Sequence, residues 1–255
     1  MPTDAYWGVD SVTASDHKLS IAGHPTLYEH ITKLAGQMPD FWGRYIGGHY
    51  AITAKEADAL FDLSGGQCRI LLAYNGATNT HTSVGGGRAQ GIHDAGKAVK
   101  AAKHAGVPPG VMIFADIEPN WHCTQEWFEG WFQGMFASQY GGMGGVYENP
   151  LAWNARNFRD PYIKAVQGDS PFIFMDPPSK ARYLWSQQPN KGCKFPRQID
   201  FGYIPAEPAG LSGVTVVWQY AINCLKPTGG KWGLIDMDLA NDLGYNVMWR
   251  APVLV

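Results

Sequence analysis

Charge is scarce in this chain. Only 16% of its 255 residues are charged, 20 basic against 22 acidic, for a formal net charge of −2. That balance gives no electrostatic support for a nucleic-acid partner. No basic stretch is present to hold the chain on an anionic membrane surface. Long apolar runs are also lacking. None reaches the roughly 18 residues that a membrane span needs, so no span is expected. Met1 to Tyr6 show neither the basic n-region nor the apolar h-region of a signal peptide. This points to a trimmed leader, a dedicated secretion system or phage-mediated lysis as the route to the outside.

Cysteine is sparse and unpatterned. Cys68, Cys123, Cys193 and Cys224 form no C-x-x-C pair, which argues against a zinc or redox site. Cys193 and Cys224, both in the loop-rich final third, are candidates for a disulfide; four separate thiols are the alternative. No G-x-G-x-x-G follows the first strand, which weighs against a dinucleotide fold. The run Ser83-Val84-Gly85-Gly86-Gly87-Arg88 lacks the Lys-Ser/Thr of a P-loop and reads as a rim loop. Neither an H-E-x-x-H nor an EF-hand loop occurs. The eight histidines are scattered; His122 alone lies near a promising acid. No cofactor is implied, and a monomer is expected.

Apolar residues, by contrast, make up 45% of the chain, with 10 Trp, 12 Tyr and 11 Phe, enough to bury a large core. Segments alternate along the chain. Strands are expected at Tyr6–Ser11, Phe41–Ile46, Arg69–Asn75, Val111–Glu118 and from Gly145–Tyr147, then more weakly at Phe172–Met175, Arg182–Trp185 and Val214–Tyr220. Helices are expected at Thr53–Leu63, with Thr53 as N-cap and Glu56 at the capping-box position, at Gly91–Gly106, and at Thr124–Ser138. Strand–helix alternation with strands apolar on both faces is the pattern of a parallel sheet covered by helices. The length suits one α/β barrel. The expectation is therefore α/β: a single TIM-like (β/α) barrel over residues 1–255, regular in its first half and irregular in its second. An open doubly wound sheet is the alternative.

The acids fall at the ends of these strands. Asp10 closes the first. Asp116 and Glu118 close the fourth, in Phe114-Ala115-Asp116-Ile117-Glu118-Pro119. Glu148 follows the fifth, and Asp236 and Asp238 follow the last. Parallel barrels carry their sites at the C-terminal strand ends, so these acids should converge on one rim. Asp116 and Glu118 are two apart and share a face with Phe114. Carboxylates so close raise each other's pKa, and a protonated Glu beside an ionised Asp is suited to general-acid chemistry. Acids that cap helices or pair with Arg44, Arg69 or Arg88 are the plain alternative, and carboxylates holding a hard cation are a third. Among aromatics, Trp121 lies on the rim loop and is a subsite candidate. Tyr74, Tyr147, Trp218 and Tyr220 lie at or near strand ends, and either line subsites or belong to the core. Trp42, Trp127 and Trp131 read as core.

At Trp7-Gly8-Val9-Asp10, Phe41-Trp42-Gly43-Arg44-Tyr45, Leu72-Ala73-Tyr74-Asn75, Asp116-Ile117-Glu118-Pro119 and Gly145-Val146-Tyr147 the sequence resembles the glycoside-hydrolase-like domain of unknown function 1906. That domain is distantly similar to family 25 glycoside hydrolases, the Chalaropsis-type lysozymes. Trp218-Gln219-Tyr220 and Asp238-Leu239 look like the end of a family 25 barrel, although Ala240 stands where that family has Asn. The resemblance implies a muramidase-type site acting on peptidoglycan or a related glycan, outside the cytoplasm or in the cell wall. Glu118 would be the general acid and Asp116 its helper. Asp10 would be the first-strand acid, and Asp238 the last-strand acid, with Asp236 close in register. A catalytically silent glycan-binding module on the same fold is the alternative, and a metal-dependent hydrolase a second.

Overall fold

The computed structural model describes residues 5–21, 24–140, 144–167, 182–226 and 234–252. In chain order the elements are β1 (Tyr6–Asp10), β2 (Lys18–Ile21), β3 (His24–Thr26), α1 (Leu27–Ala35), β4 (Phe41–Ile46), α2 (Ala54–Leu63), β5 (Arg69–Tyr74), α3 (Asn79–Thr82), α4 (Gly87–His104), β6 (Ile113–Asp116), α5 (Gln125–Phe136), β7 (Gly144–Glu148), α6 (Asp160–Gln167), β8 (Leu184–Gln187), β9 (Thr215–Cys224), β10 (Ile235–Ala240) and α7 (Asp242–Asn246). Eight strands close into a barrel in the order β1-β10-β9-β8-β7-β6-β5-β4. β2 and β3 form a small separate hairpin. The expected strand Phe172–Met175 lies outside the described residues.

The barrel is the expected one, regular at first and irregular later. Neighbours from β1 through β4 to β9 pair in parallel, whereas β10 is antiparallel to both β9 and β1. This corrects the expectation that Asp236 and Asp238 follow the last strand: both lie within β10. Because β10 runs backwards, its beginning, not its end, reaches the rim where the other strands finish. α1 was not expected, although Thr26 caps its start by accepting from the Glu29 N–H and Gly36 ends it at φ +71°.

Residue parity sorts the core into two layers. Phe41, Leu71, Ala73, Met112, Phe114, Tyr147 and Trp185 fill the barrel interior. Their strand neighbours Trp42, Ile70, Leu72, Ile113, Ala115, Val146 and Leu184 face the helices. Interior rings need small partners. A Cβ on Gly8 would stand 2.5 Å from the Phe41 ring, and one on Gly145 2.5 Å from the Phe114 ring. Outside, Trp127 and Trp131 stack at 6.0 Å between ring centroids. Their indole N–H groups are satisfied by Asp94 Oδ2 at 3.1 Å and the Gly145 carbonyl at 3.0 Å.

α4 and α5 cross through glycines. A Cβ on Gly91 would lie 2.2 Å from the Trp127 carbonyl oxygen, and one on Gly130 2.1 Å from that of Arg88. Gly96, on the same helix, has nothing within 4 Å of its Cβ position. Two alanine substitutions on one helix should therefore have opposite signs. Gly96→Ala should stabilise by about 0.5–1 kcal/mol through backbone entropy. Gly91→Ala should destabilise by about 1–3 kcal/mol through overpacking. Urea unfolding of the two variants checks this; a gain at both positions would mean that the helices can move apart freely.

Cys193 and Cys224 form a disulfide across a sequence separation of 31, while Cys68 and Cys123 are buried free thiols. Among the described residues no helix is long and apolar enough to cross a membrane.

Candidate active site

β1 delivers Asp10 and β6 delivers Asp116 to the same rim. The β1–β10 register pairs Asp10 with Asp236 and Gly8 with Asp238. Asp236 is therefore level with Asp10 at the rim. Asp238 is one inward step deeper, with no accessible surface. Glu118 stands two residues past the end of β6 and is exposed.

One glutamine links the interior acids. Gln219 Nε2 donates to Asp10 Oδ2 at 2.9 Å and to Asp236 Oδ2 at 3.3 Å. Its Oε1 accepts from the Tyr147 hydroxyl at 2.9 Å, and that hydroxyl accepts from Gln187 Nε2 at 2.8 Å. Trp185 Nε1 donates to Asp238 Oδ1 at 2.9 Å. The Asn223 N–H donates to Asp236 Oδ1 at 2.6 Å. Across the barrel, Asn75 Nδ2 donates to Asp116 Oδ2 at 3.1 Å.

Burial sets the protonation states. The Asp116 carboxyl is held well above the usual carboxylate range, first by burial and then by the charges of Glu118 and Asp10. Asp236 is pushed up to about 8 by burial and by Asp10. Asp238 is raised strongly by burial and then by the charge of Asp10. Two buried carboxyls that interact in this way titrate jointly. Asp10 is raised by burial, against the opposing effects of Asp238, the Gln219 bond and the Arg44 charge. Glu118 is raised by burial alone, and more weakly than Asp116. This ordering differs from the sequence expectation of a protonated Glu beside an ionised Asp. Depth is the reason: Asp116 lies inside the barrel, and Glu118 reaches solvent.

These acids bind protons more tightly when folded than when unfolded. The folded chain thus carries extra protons from the unfolded carboxylate range near pH 4 up to about 8. Their contribution to stability is fully present at the acid end of that window and is lost as pH rises through it. The melting temperature should fall between pH 5 and 8.5, and Asp236→Asn should flatten that slope. A melting temperature that rises across this range would contradict the protonation scheme.

The other residues singled out by sequence divide by parity. Tyr74 faces the helices and stacks on Trp131 at 5.9 Å. The Tyr220 hydroxyl, on the same outer layer, accepts from Trp7 Nε1 at 3.0 Å and donates to the Lys194 carbonyl at 2.6 Å. Their sequence neighbours Asn75 and Gln219 are the ones that reach the acids. Tyr147 is inside. Trp121 is half-buried against the outer layer. Glu148 is buried behind the rim, where Oε1 accepts from the Asn149 N–H at 2.9 Å and Asn154 Nδ2 at 3.0 Å. Burial, together with Glu118 and Asp116, pushes it up to about 8.

Sequence reading did not pick out Tyr45, Asn75, Trp185, Gln187 or Gln219 as site residues. Tyr45 is central: burial first, and then the charges of Asp10, Asp116, Glu118 and Asp236, raise its phenol. The available signal was parity, since Tyr45 shares the inward face of Phe41 and Gly43.

The arginines named as alternative partners are engaged elsewhere. Arg44 binds Glu56, Arg69 binds the Tyr245 carbonyl and Arg88 binds Glu129. Glu56 thus turns its carboxylate to Arg44 instead of closing a capping box. Among the described residues Glu118 has no ion pair and no side-chain hydrogen bond, and no group of three His, Cys, Asp or Glu converges to hold a metal ion. A cavity of about 300 Å³ opens at the rim beside Asp10, Tyr45, Tyr50 and Asp236. The arrangement thus combines an accessible carboxyl that can give a proton with Asp10, whose ionised form Gln219 and Arg44 favour and which can stabilise positive charge.

A family profile described as Rv2525c-like, glycoside hydrolase-like domain matches residues 34–239. No curated protein matches the chain. The crystal structure of an uncharacterized B. stearothermophilus protein shares the fold at a TM-score of 0.75 and 23% identity, covering 96% of this chain and 100% of that one. Looser likenesses, both at a TM-score of 0.49, are the Tat-secreted protein Rv2525c of Mycobacterium tuberculosis in complex with L-tartrate and a muramidase from Acremonium alcalophilum. The first is 16% identical, covering 92% of this chain and 93% of that one. The second is 13% identical, covering 96% and 98%.

Proposed function

Because the chain belongs to the Rv2525c-like, glycoside hydrolase-like domain family, we propose that it is a glycosidase cleaving β-1,4 bonds of peptidoglycan or a closely related cell-wall glycan. The observation that carries this reading is the pairing of one accessible carboxyl, Glu118, without an ion pair among the described residues, with a ring of interior aspartates on the same rim. Glu118 gives its proton to the leaving glycosidic oxygen. A glycan lying across the rim excludes water from Glu118 and raises its pKa further, so the acid is armed by binding. Asp116, held toward its neutral form by depth, competes little as a charge. Asp10, held by Gln219, faces the oxocarbenium-like centre or orients the incoming group, which is water or the substrate's own N-acetyl oxygen. Asp238, one step deeper and held toward its neutral form by burial, adds little negative charge beside Asp10. Tyr45, Tyr147 and Asp236 line the approach. Action outside the cytoplasm is supported by the Cys193–Cys224 disulfide, a bond that persists in oxidising compartments.

The test is release of soluble muropeptides from purified peptidoglycan by the wild type and by Glu118→Gln, from pH 4 to 8. Release by the wild type, lost in the variant, is expected. One observation favours a second reading, a silent glycan-binding module: Gln219 already ties Asp10 and Asp236 together. Tight glycan binding by the wild type with no release at any pH would select that module.

A further inference from the structure

A second cavity of about 670 Å³ opens on the same rim. It is built by the three successive loops that follow β5, β6 and β7, whereas the smaller cavity lies by the ends of β1, β4, β9 and β10. β6, beyond whose end Glu118 stands, belongs to the larger cavity's side of the barrel mouth. Asn79 and Ser83 come from the first loop, His122 from the second, and Arg156 and Asn157 from the third.

The walls are stitched together. The His122 N–H donates to Asn79 Oδ1 at 2.9 Å, the Thr124 N–H to the Thr82 carbonyl at 2.9 Å, and the Cys123 N–H to the Asn157 carbonyl at 2.7 Å. The cavity is therefore preformed. Fixing Asn79 Oδ1 in this way leaves its Nδ2 as the group available to a ligand. No Asp or Glu lines the cavity among the described residues. Arg156 is exposed, and no ion pair or hydrogen bond occupies its guanidinium among the described residues. Glu148, behind Cys123, is pushed up to about 8 and is mostly uncharged at neutral pH. The lining is thus an arginine amid hydrogen-bonding groups, with no carboxylate among the described residues, beside the loop that leaves Glu118.

We propose that this cavity takes the carboxylate-bearing substituent of the glycan, the stem-peptide side of a muropeptide, with Arg156 as its counter-charge. The inference rests on the glycosidase reading and assigns the side of the cleft on which the substituted sugar lies. A planar guanidinium suits a carboxylate, and Asn79, Ser83 and Asn157 suit peptide amides.

Calorimetric binding to the full chain carrying Glu118→Gln, with and without Arg156→Gln, tests it. The probes are a tetrasaccharide muropeptide with stem peptides, the same molecule with its carboxylates amidated, chitotetraose, and a glycerol phosphate oligomer. Arg156→Gln should weaken the muropeptide about tenfold or more and leave the amidated form and chitotetraose unchanged. Equal weakening of all three, or no weakening of the muropeptide, overturns the proposal while leaving the glycosidase reading intact. Tighter Arg156-dependent binding of the glycerol phosphate oligomer than of the muropeptide overturns the carboxylate assignment in favour of phosphate. Failure of every glycan to bind overturns both readings.

Discussion

Glu118→Gln should lower the rate of muropeptide release by about 10²–10⁴-fold, the usual contribution of a positioned general acid. The effect should fall on kcat and leave KM nearly unchanged, because the amide keeps the shape of the side chain and loses only its proton. Stability should hardly move. Glu118 is exposed and has no ion pair among the described residues, so its removal strands no partner. That combination separates catalysis from folding. A variant that loses activity together with its melting transition would instead report damage to the rim. The wild-type profile should show an alkaline limb as Glu118 gives up its proton, since its pKa is raised and only the protonated form can donate. In Glu118→Gln any residual activity should lack that limb. Retention of more than half of the wild-type rate would remove Glu118 from the mechanism.

Much of the barrel was legible because local signals and tertiary needs agree. Phe41–Ile46 is apolar on both faces and is bounded by turn residues, so its limits could be read directly. Thr53 and Thr124 cap their helices as their positions suggested. The site was legible as a set of strand-end acids but not in its depth or direction. Asp236 and Asp238 sit in a sequence that reads as a strand whichever way it runs; only the β9–β10 pairing fixes which end meets the rim. Tyr74 and Tyr220 attracted notice as aromatics, yet a period of two gives the inward position to Asn75 and Gln219. The proton balance of Asp116 and Glu118 depends on two residues of depth, which spacing alone does not express. Glu56 shows the same limit from the other side: a local capping signal gave way to Arg44, twelve residues upstream.

That ion pair underlies the second large effect. Arg44 Nε donates to Glu56 Oε1 at 2.6 Å and Nη2 to Oε2 at 3.2 Å, with both side chains nearly inaccessible. The same guanidinium donates to the carbonyls of Ser11 and Tyr50, the segments that border the smaller cavity. Breaking a buried pair from one side leaves a charge with neither water nor partner. Arg44→Met and Glu56→Leu should therefore each cost about 3–5 kcal/mol in urea unfolding. The double variant removes both charges and should cost at least about 2 kcal/mol less than the sum of the singles. It should not return to wild-type stability, because the Ser11 and Tyr50 carbonyls lose their donor. Only the variants lacking Arg44 should also touch the chemistry. Arg44 lowers the pKa of Asp10, so its loss lets that carboxyl hold its proton to higher pH. The acid limb of the pH–rate profile should move upward in Arg44→Met and in the double variant, and not in Glu56→Leu. Additive costs in the three variants would show that the pair is solvated. An unmoved acid limb would show that Asp10 takes no part as an ionised group.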